Sequence, residues 1–524
     1  MQTIAIIPAR GGSKGIPRKN MRLMNGKPLI AYSVQNALDC PFIDEVVVST
    51  DSDEIAHYVE QFKSVRVVKR DGNLAEDSVT LDPVIYDAVQ KTENELSCNF
   101  DVVVTLQPTS PLLKVQTLNN AIKRFYSSSE DSLISVTNAP HLSWKIDART
   151  GNVVPNYEER LNRQMLPPNF LETGAFLITK RSCITKDSRL GNRIGVFEVP
   201  KEESIDIDSK EDWILSEAIL KRKNIVFRVD GYKELGMGHI YRALTLAYKL
   251  TAHNVSFICN SKYKEGIEKL EAAFMKVIKV DSDDELFLWL KDSSTDIFVY
   301  DCLDSNAEFI QKIKNLVGRV VTFEDLGEGS SYADAVINAL YEQADDRKHV
   351  FSGQNYACLR DEFIIADSKV FSESVKNVLV MFGGTDPLDM TSRLFGIAKD
   401  ICRKEEKINF YFLLGAGYKG LTVNSCPQLR INVVRNVDRV SDFMLKADLA
   451  ISSQGRTTYE LACIGVPTIV IAQNEREQLH DFARMSNGFI NLGLGQKVSD
   501  NDIRSTILWL MGAKTVRKQM HKLM

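Results

Sequence analysis

The stretch "SKEDWILSEAILKRKNIVFRVDGYKELGMGHIYR", Ser209–Arg242, contains the end of one α/β series and the start of another. Its first half has the apolar spacing of an amphipathic helix, and "NIVFRVD" then opens a fresh strand that runs into a turn containing Gly236 and Gly238. Upstream, "TIAII", "LIAYSVQNAL", "EVVVST", "EIAHYVEQF", "VRVVKR" and "DVVVTL" alternate strand-like and helix-like runs, the order of a mainly parallel sheet covered on both faces. Downstream the alternation restarts through "NVSFICN", "DIFVYD" and "VVTFED", which puts a boundary near Lys223 although no Pro/Gly-rich linker marks it. A third series runs from "NVLVMFGGTDP" through "INFYFLLG", "DLAISSQG" and "VPTIVIA". The expected architecture is α/β throughout: one mainly parallel, Rossmann-like domain over residues 1–222, then two similar lobes over 223–370 and 371–524 with a cleft between them. Ligands of such sheets gather at the carboxyl ends of the strands, where "RVDGYKELGMGH", "MFGGTDP" and "SSQGRTTYE" fall.

With 524 residues, 44% of them hydrophobic, the chain is long enough for several cores. A net charge of -4 leaves no footprint for nucleic acid or a membrane surface. No run approaches the roughly 18 apolar residues of a membrane span, and the first strand lacks the features of a signal peptide, so a cytoplasmic protein is expected. Nine cysteines, with no C-x-x-C pair, read as reduced and mostly buried thiols rather than zinc ligands. The C-terminal "KTVRKQMHKLM" reads as a basic surface helix.

Near the N-terminus, "IIPARGGSKGIPRKN" places Gly11, Gly12 and Gly15 after a strand, with Arg10, Lys14, Arg18 and Lys19 as four cations within ten residues. Glycines let backbone N–H groups approach an anion and fixed cations neutralise phosphate, so a polyphosphate is the expected guest. The spacing fits neither G-x-x-x-x-G-K-[ST] nor G-x-G-x-x-G. Asp206 and Asp208 in "SIDIDSKED" alternate as on a strand, an arrangement suited to holding Mg²⁺ against phosphates.

With "RDGNLAEDS", "LQPTSPLL" and "LETGAF", these motifs resemble the acylneuraminate cytidylyltransferases, also called CMP-sialic acid synthetases. The resemblance covers residues 1–222. It implies a single nucleotidyltransferase domain that binds CTP with Mg²⁺ and joins CMP to a nonulosonic acid, releasing pyrophosphate. On that pattern Arg10, Gly11, Gly12, Lys14, Lys19, Asn20, Arg70, Ser78 and Gln107 bind the nucleotide, with Arg10 and Lys19 stabilising charge during transfer, and Asp206 and Asp208 hold the metal. Lys145, Arg163, Gln164, Thr173 and Gly174 serve the sugar, and the segment 142–170 forms a homodimer. The triplet "LET" before Gly174 departs from the Arg-Pro-Asn common in the sialic acid enzymes, and "LQPTSPLL" lacks their following arginine, which leaves the sugar open.

In the second glycine turn His239 stands directly after Gly238, with Ala243, Leu244, Leu246, Ala247 and Leu250 as the stripe of the following helix. A histidine in a first helical turn sits at the positive end of the dipole, which keeps its ring neutral and able to accept a proton. Gly383 and Gly384 follow another strand, and Gly455 and Thr457 open a helix carrying Glu460. This constellation resembles the UDP-sugar hydrolase of pseudaminic acid biosynthesis, which has the two-lobed glycosyltransferase-B fold and frees UDP from a 2,4-diacetamido-2,4,6-trideoxyhexose. The resemblance implies that His239 activates water, that Asp230 orients it or binds sugar, and that Gly383, Gly384, Gly455, Thr457 and Thr458 face the diphosphate. Glu460 would then lie near the ribose and Asn474 near sugar or phosphate. The fold also hosts glycosyltransferases, so transfer to an acceptor, or mere binding of a nucleotide sugar, stays open for this half.

Overall fold

The computed structural model describes the chain except residues 13–14, 77, 233–235, 342–346, 368, 406, 416, 419, 421–422, 436 and 438. The chain divides into two compact units, Met1–Arg222 and Lys223–Met524. In the first, a seven-stranded sheet runs in the order Ile194–Glu198, Ser132–Asn138, Phe170–Lys180, Val102–Leu106, Thr3–Pro8, Glu45–Thr50 and Val65–Lys69. Phe170–Lys180 lies antiparallel to both its neighbours and the other pairings are parallel. The central strands are largely apolar and almost wholly buried because both faces are covered. Ala5, Ile7, Val46, Val48, Val102 and Val104 enter one core, while Ile4, Ile6, Val47 and Val103 enter the other.

The second unit holds two all-parallel sheets. The first has seven strands, in the order Lys276–Val280, Asn254–Asn260, Asn224–Val229, Ile297–Asp301, Arg319–Phe323, Ala335–Asn338 and Val350–Ser352. Six strands form the second, in the order Ile431–Arg435, Asn409–Leu414, Asn377–Met381, Leu449–Ser452, Thr468–Ala472 and Phe489–Leu494. Both are doubly wound, giving two lobes as expected. Phe363 of the short helix Asp361–Ile364 packs with Leu379, Met381 and Leu413, so the second lobe's core gathers residues that precede position 371.

In each of the three sheets the chain order reverses between the first strand of its series and the fourth. A crevice opens there at the strands' carboxyl ends. Thr3–Pro8 beside Val102–Leu106, Asn224–Val229 beside Ile297–Asp301, and Asn377–Met381 beside Leu449–Ser452 are the three such places.

Two features differ from expectation. Only Cys40, Cys259 and Cys402 are buried; Cys463 is exposed and the remaining five cysteines, all unbridged, are half-buried. The C-terminal helix Lys514–Leu523 is not simply a basic surface helix. Arg517 is 1% exposed and its guanidinium donates to the carbonyls of Leu510 (2.9 Å), Ser372 (3.0 Å) and Glu373 (2.7 Å). No described helix is long and apolar enough to cross a membrane.

Candidate active sites

At the first unit's crevice a pocket of about 260 Å³ is lined by Arg10, Gly15, Lys19, Asn20, Arg70 and Gln107, among others. Buried Asn20 donates Nδ2 to the Arg10 carbonyl at 3.0 Å, and the Gly11 N–H donates to Asp51 Oδ1 at 2.9 Å, which pins the loop at both ends. A Cβ on Gly15 would fall 2.8 Å from the Asp208 carbonyl oxygen, so only glycine lets the loop pass the acidic segment. Lys19 Nζ donates to the Ile207 carbonyl at 2.6 Å and to Asp208 Oδ1 at 3.4 Å. Arg70 is buried, and among the described residues its guanidinium hydrogen-bonds Ser49 alone. Burial pushes its pKa down, with Asp51 opposing and Arg10 adding to the shift.

Asp206 and Asp208 lie on an unpaired segment before the helix Lys210–Leu220, not on a strand. Ile207 between them is buried with Ile16, Met24, Leu29 and Trp213. A Cβ on Gly174, whose φ is +68°, would lie 3.0 Å from Asp206 Oδ2 and 3.1 Å from Gln107 Nε2. Burial raises the Asp206 carboxyl above the usual carboxylate range, helped by Asp208 and opposed by Thr109 and Lys19. Among the described residues, neither its buried Oδ1 nor Thr109 Oγ1 has a partner within hydrogen-bond geometry, so the influence of Thr109 is that of a nearby hydroxyl and not of a formed bond.

A second pocket of about 260 Å³ shares Gln107 and is lined also by Gly174, Glu172, Asp82 and Arg189. The Asp82–Arg189 pair (2.9 Å) carries no sequence signal, since its members stand 107 residues apart. Thr173, expected at the sugar, is turned inward: its hydroxyl donates to Ser135 Oγ at 3.0 Å. Ser78 is exposed and lines neither pocket. Lys145, Arg163 and Gln164 line neither pocket either; they sit on an exposed arm beside Trp144, Ile146, Val153 and Met165, each more than half exposed. Lys14 lies outside the described residues.

In the second unit, a cleft of about 440 Å³ is lined from both lobes, with Gly238, Arg242 and Glu324 on one side and Gly383, Gly384, Arg456, Thr457 and Glu460 on the other. The backbones meet closely, since a Cβ on Gly384 would lie 3.6 Å from the Gly236 Cα. His239 is the second residue of the helix Gly238–Lys249 and is 9% exposed. Its Nδ1 lies 2.5 Å from Asp301 Oδ1, and Arg242 grips the same carboxylate through Nε (2.7 Å) and Nη2. Arg242 Nη1 also donates to Glu324 at 3.1 Å. Burial pushes the imidazole pKa down, with Asp301 opposing and Arg242 and Arg456 reinforcing the shift. Burial alone would raise Asp301, yet Arg242 and His239 hold it well below the usual carboxylate range. The result favours a neutral imidazole with Nδ1–H directed at a carboxylate and Nε2 as the acceptor nitrogen, although His239 itself is not among the cleft's lining residues, which include its neighbours Gly238 and Arg242.

Asp230, expected to orient His239, instead pairs with Arg228 at 2.8 Å and accepts from the Asn260 N–H at 2.8 Å. Strand register explains the exchange. Asp301 stands opposite Val229, one residue before Asp230, so the carboxylate that reaches the helix start comes from the neighbouring strand. Glu460 lines the cleft but is held by Arg360 (3.0 and 3.1 Å), which takes up the charge expected for a ribose. Thr458 donates its hydroxyl to the Gly455 carbonyl (2.8 Å), and Gly455 is not among the cleft's lining residues. Asn474 caps the helix Glu475–Gln478 by accepting from the Glu477 N–H at 2.9 Å. The residues that sequence reasoning missed are Asp301, Arg242 and Arg456. Arg456 lies within the quoted "SSQGRTTYE", but Glu460 at i+4 reads as its helical partner, so the sequence carried no signal that sets it apart.

A cytidylyltransferase family model matches residues 4–181. The pseudaminic acid cytidylyltransferase of Campylobacter jejuni subsp. jejuni serotype O:2 is 31% identical, over 42% of this chain and 97% of that protein. The chain belongs to the cytidylyltransferase family. Uncharacterized protein MJ1062 of Methanocaldococcus jannaschii is 29% identical over 284 residues, 50% of this chain. That match is longer than the cytidylyltransferase unit, so it includes part of the second unit, and the chain spans 58% of that relative's length. A crystal structure of Acinetobacter baumannii MurG aligns with a TM-score of 0.41 at 14% identity, covering 57% of this chain and 94% of that one.

Proposed function

We propose that the chain is a bifunctional enzyme of nonulosonic acid metabolism. The cytidylyltransferase unit joins CMP to a nonulosonic acid. The sugar's anomeric hydroxyl oxygen attacks the α-phosphorus of CTP, the bond to the bridging oxygen breaks, pyrophosphate leaves, and the hydroxyl proton passes to solvent. The observation that carries this reading is the convergence of Arg10, Lys19 and Arg70 on one pocket with the 206–208 segment. The cations neutralise triphosphate charge and stabilise what develops on the leaving pyrophosphate. Gln107, shared by both pockets, separates a nucleotide side from a sugar side at Gly174.

Asp206 and Asp208 fit Mg²⁺: one carboxylate has an unsatisfied buried oxygen, and the ion needs only one or two protein carboxylates when phosphates complete its shell. Bound there, it supplies charge that orients and neutralises the phosphates. Pyrophosphate release from CTP with pseudaminic, legionaminic and sialic acids tests the reading and identifies the sugar; Asp206→Ala should abolish release with all of them, and retained activity would remove the metal assignment. A second copy of the chain, seated on the exposed apolar arm, accounts for Trp144, Ile146 and Met165 standing in solvent; sedimentation of an Ile146→Asp variant checks it, a monomer being expected.

The second unit hydrolyses a UDP-linked diacetamido sugar. His239 Nε2 takes a proton from water, the water oxygen attacks the anomeric carbon, the C–O bond breaks and UDP departs. The His239–Asp301 contact carries this reading. Incubation with the UDP-sugar and no acceptor should release UDP and free sugar. Release only when an acceptor is added would replace hydrolysis by transfer, and no release under either condition would leave a binding module.

A further inference from the structure

The charged residues lining the cleft pair off unequally. Arg242 is held by Asp301 and Glu324, and Arg360 bonds Glu362 at 2.7 Å and Glu460 at 3.0 Å. Arg456 and Lys269 remain, each without a carboxylate partner among the described residues. Lys269 is exposed and lies over the Tyr241 ring, 5.4 Å from its centroid, so solvent compensates its charge. The Arg456 side chain is half-buried and makes no hydrogen bond or ion pair with any described residue. Its guanidinium is pressed against the opposite lobe, since a Cβ on Gly238 would fall 2.6 Å from Nη2, one residue from His239.

A cation enclosed without a partner contributes nothing to the fold and costs desolvation. Burial, reinforced by Arg242 and opposed at a distance by Asp301, Glu324 and Glu460, pushes Arg456 down to about 10. Arg456 lines the same side of the cleft as Gly383 and Gly384 and immediately precedes the helix Thr457–Ile464, whose first N–H groups lack intrahelical partners.

We propose that Arg456 is the residue that reads ligand charge in this cleft: it pairs with the diphosphate of a nucleoside diphosphate sugar, and through that pairing it sets the basicity of His239. The inference rests on the hydrolytic reading and adds a coupling to it. Among the described residues, the imidazole feels chiefly Asp301, Arg242 on its own helix, and Arg456 from the other lobe. Asp301 and Arg242 are fixed by their mutual hydrogen bonds, and Glu324 is tied to Arg242. Arg456 is therefore the member whose charge a ligand can neutralise. With the cleft empty its charge opposes protonation of His239; with a diphosphate paired to it that opposition falls, and the ring becomes a stronger base when substrate is present.

The test compares the full chain with Arg456→Gln and Arg456→Lys by calorimetric titration of UDP and of uridine. The cytidylyltransferase unit is the same in all three proteins, so differences report the cleft. Arg456→Gln should weaken UDP on the order of 10- to 100-fold and leave uridine unchanged, with Arg456→Lys recovering part of the loss. Thermal unfolding of Arg456→Gln should occur no lower than that of the parent. The acid limb of kcat/KM should move to higher pH in Arg456→Gln, because the charge that depresses His239 is gone. UDP affinity unchanged in Arg456→Gln, or equal weakening of UDP and uridine, overturns this inference alone. A folded parent protein that binds no UDP overturns the hydrolytic reading together with it.

Discussion

Asp301 is fully enclosed, and its single negative charge faces both His239 and Arg242. Asp301→Asn keeps the shape but leaves Arg242 short of a counter-charge, so the second unit should lose about 3 kcal/mol in denaturant unfolding. UDP release should fall at least about 100-fold as the imidazole loses the group that fixes its tautomer, while UDP affinity changes little. Parent-like turnover would show that His239 needs no orienting carboxylate. His480 has a different consequence. Burial pushes its imidazole down to about 4, although Nδ1–H donates to the Gln454 carbonyl. A folded pKa below the unfolded value near 6.5 means that unfolding takes up a proton in acid. The stability is therefore complete above that value and is lost as the pH falls from about 6.5 towards 4. Between pH 7 and 5 the loss from this residue should be roughly 2 kcal/mol, read as a shift in urea midpoint that His480→Gln removes.

Helix ends show how far local chemistry can be trusted. Ser209 caps Lys210–Leu220 in a capping box with Asp212, a pattern visible as S-x-x-D before an apolar run, and Asp208 stands immediately ahead of it. The C-terminal helix misleads by the same kind of local reading: its basic composition suggests a solvated face, yet Arg517 turns inward to satisfy three carbonyls, two of them more than 140 residues away. Arg517→Met should cost about 3 kcal/mol by exposing that triple loss in unfolding measurements, far more than Lys518→Met on the exposed side of the same helix. Strand alternation and glycine turns were legible because they depend on neighbours two to four residues apart. The Asp206–Asp208 segment carried the spacing of a strand but found no ladder partner.

For the whole molecule, two compact units with separate cores imply separate losses of activity. Asp208→Ala should end pyrophosphate release from CTP and leave UDP release unchanged, and His239→Ala should do the reverse; a joint loss in either variant, with both proteins folded, would reveal coupling between the units. From residue order alone came three doubly covered sheets, the boundary near Lys223, the cationic glycine-rich turn after the first strand and the histidine at a helix start, since periodicity, turn chemistry and charge density are local properties. The choice of Asp301 over Asp230, the capture of Glu460 by Arg360, the inward turn of Thr173 and the solitude of Arg456 were decided only in the tertiary structure. Each depends on which strand lies beside which and in what register, and two strands that both end in aspartate look alike until the sheet order sets them side by side.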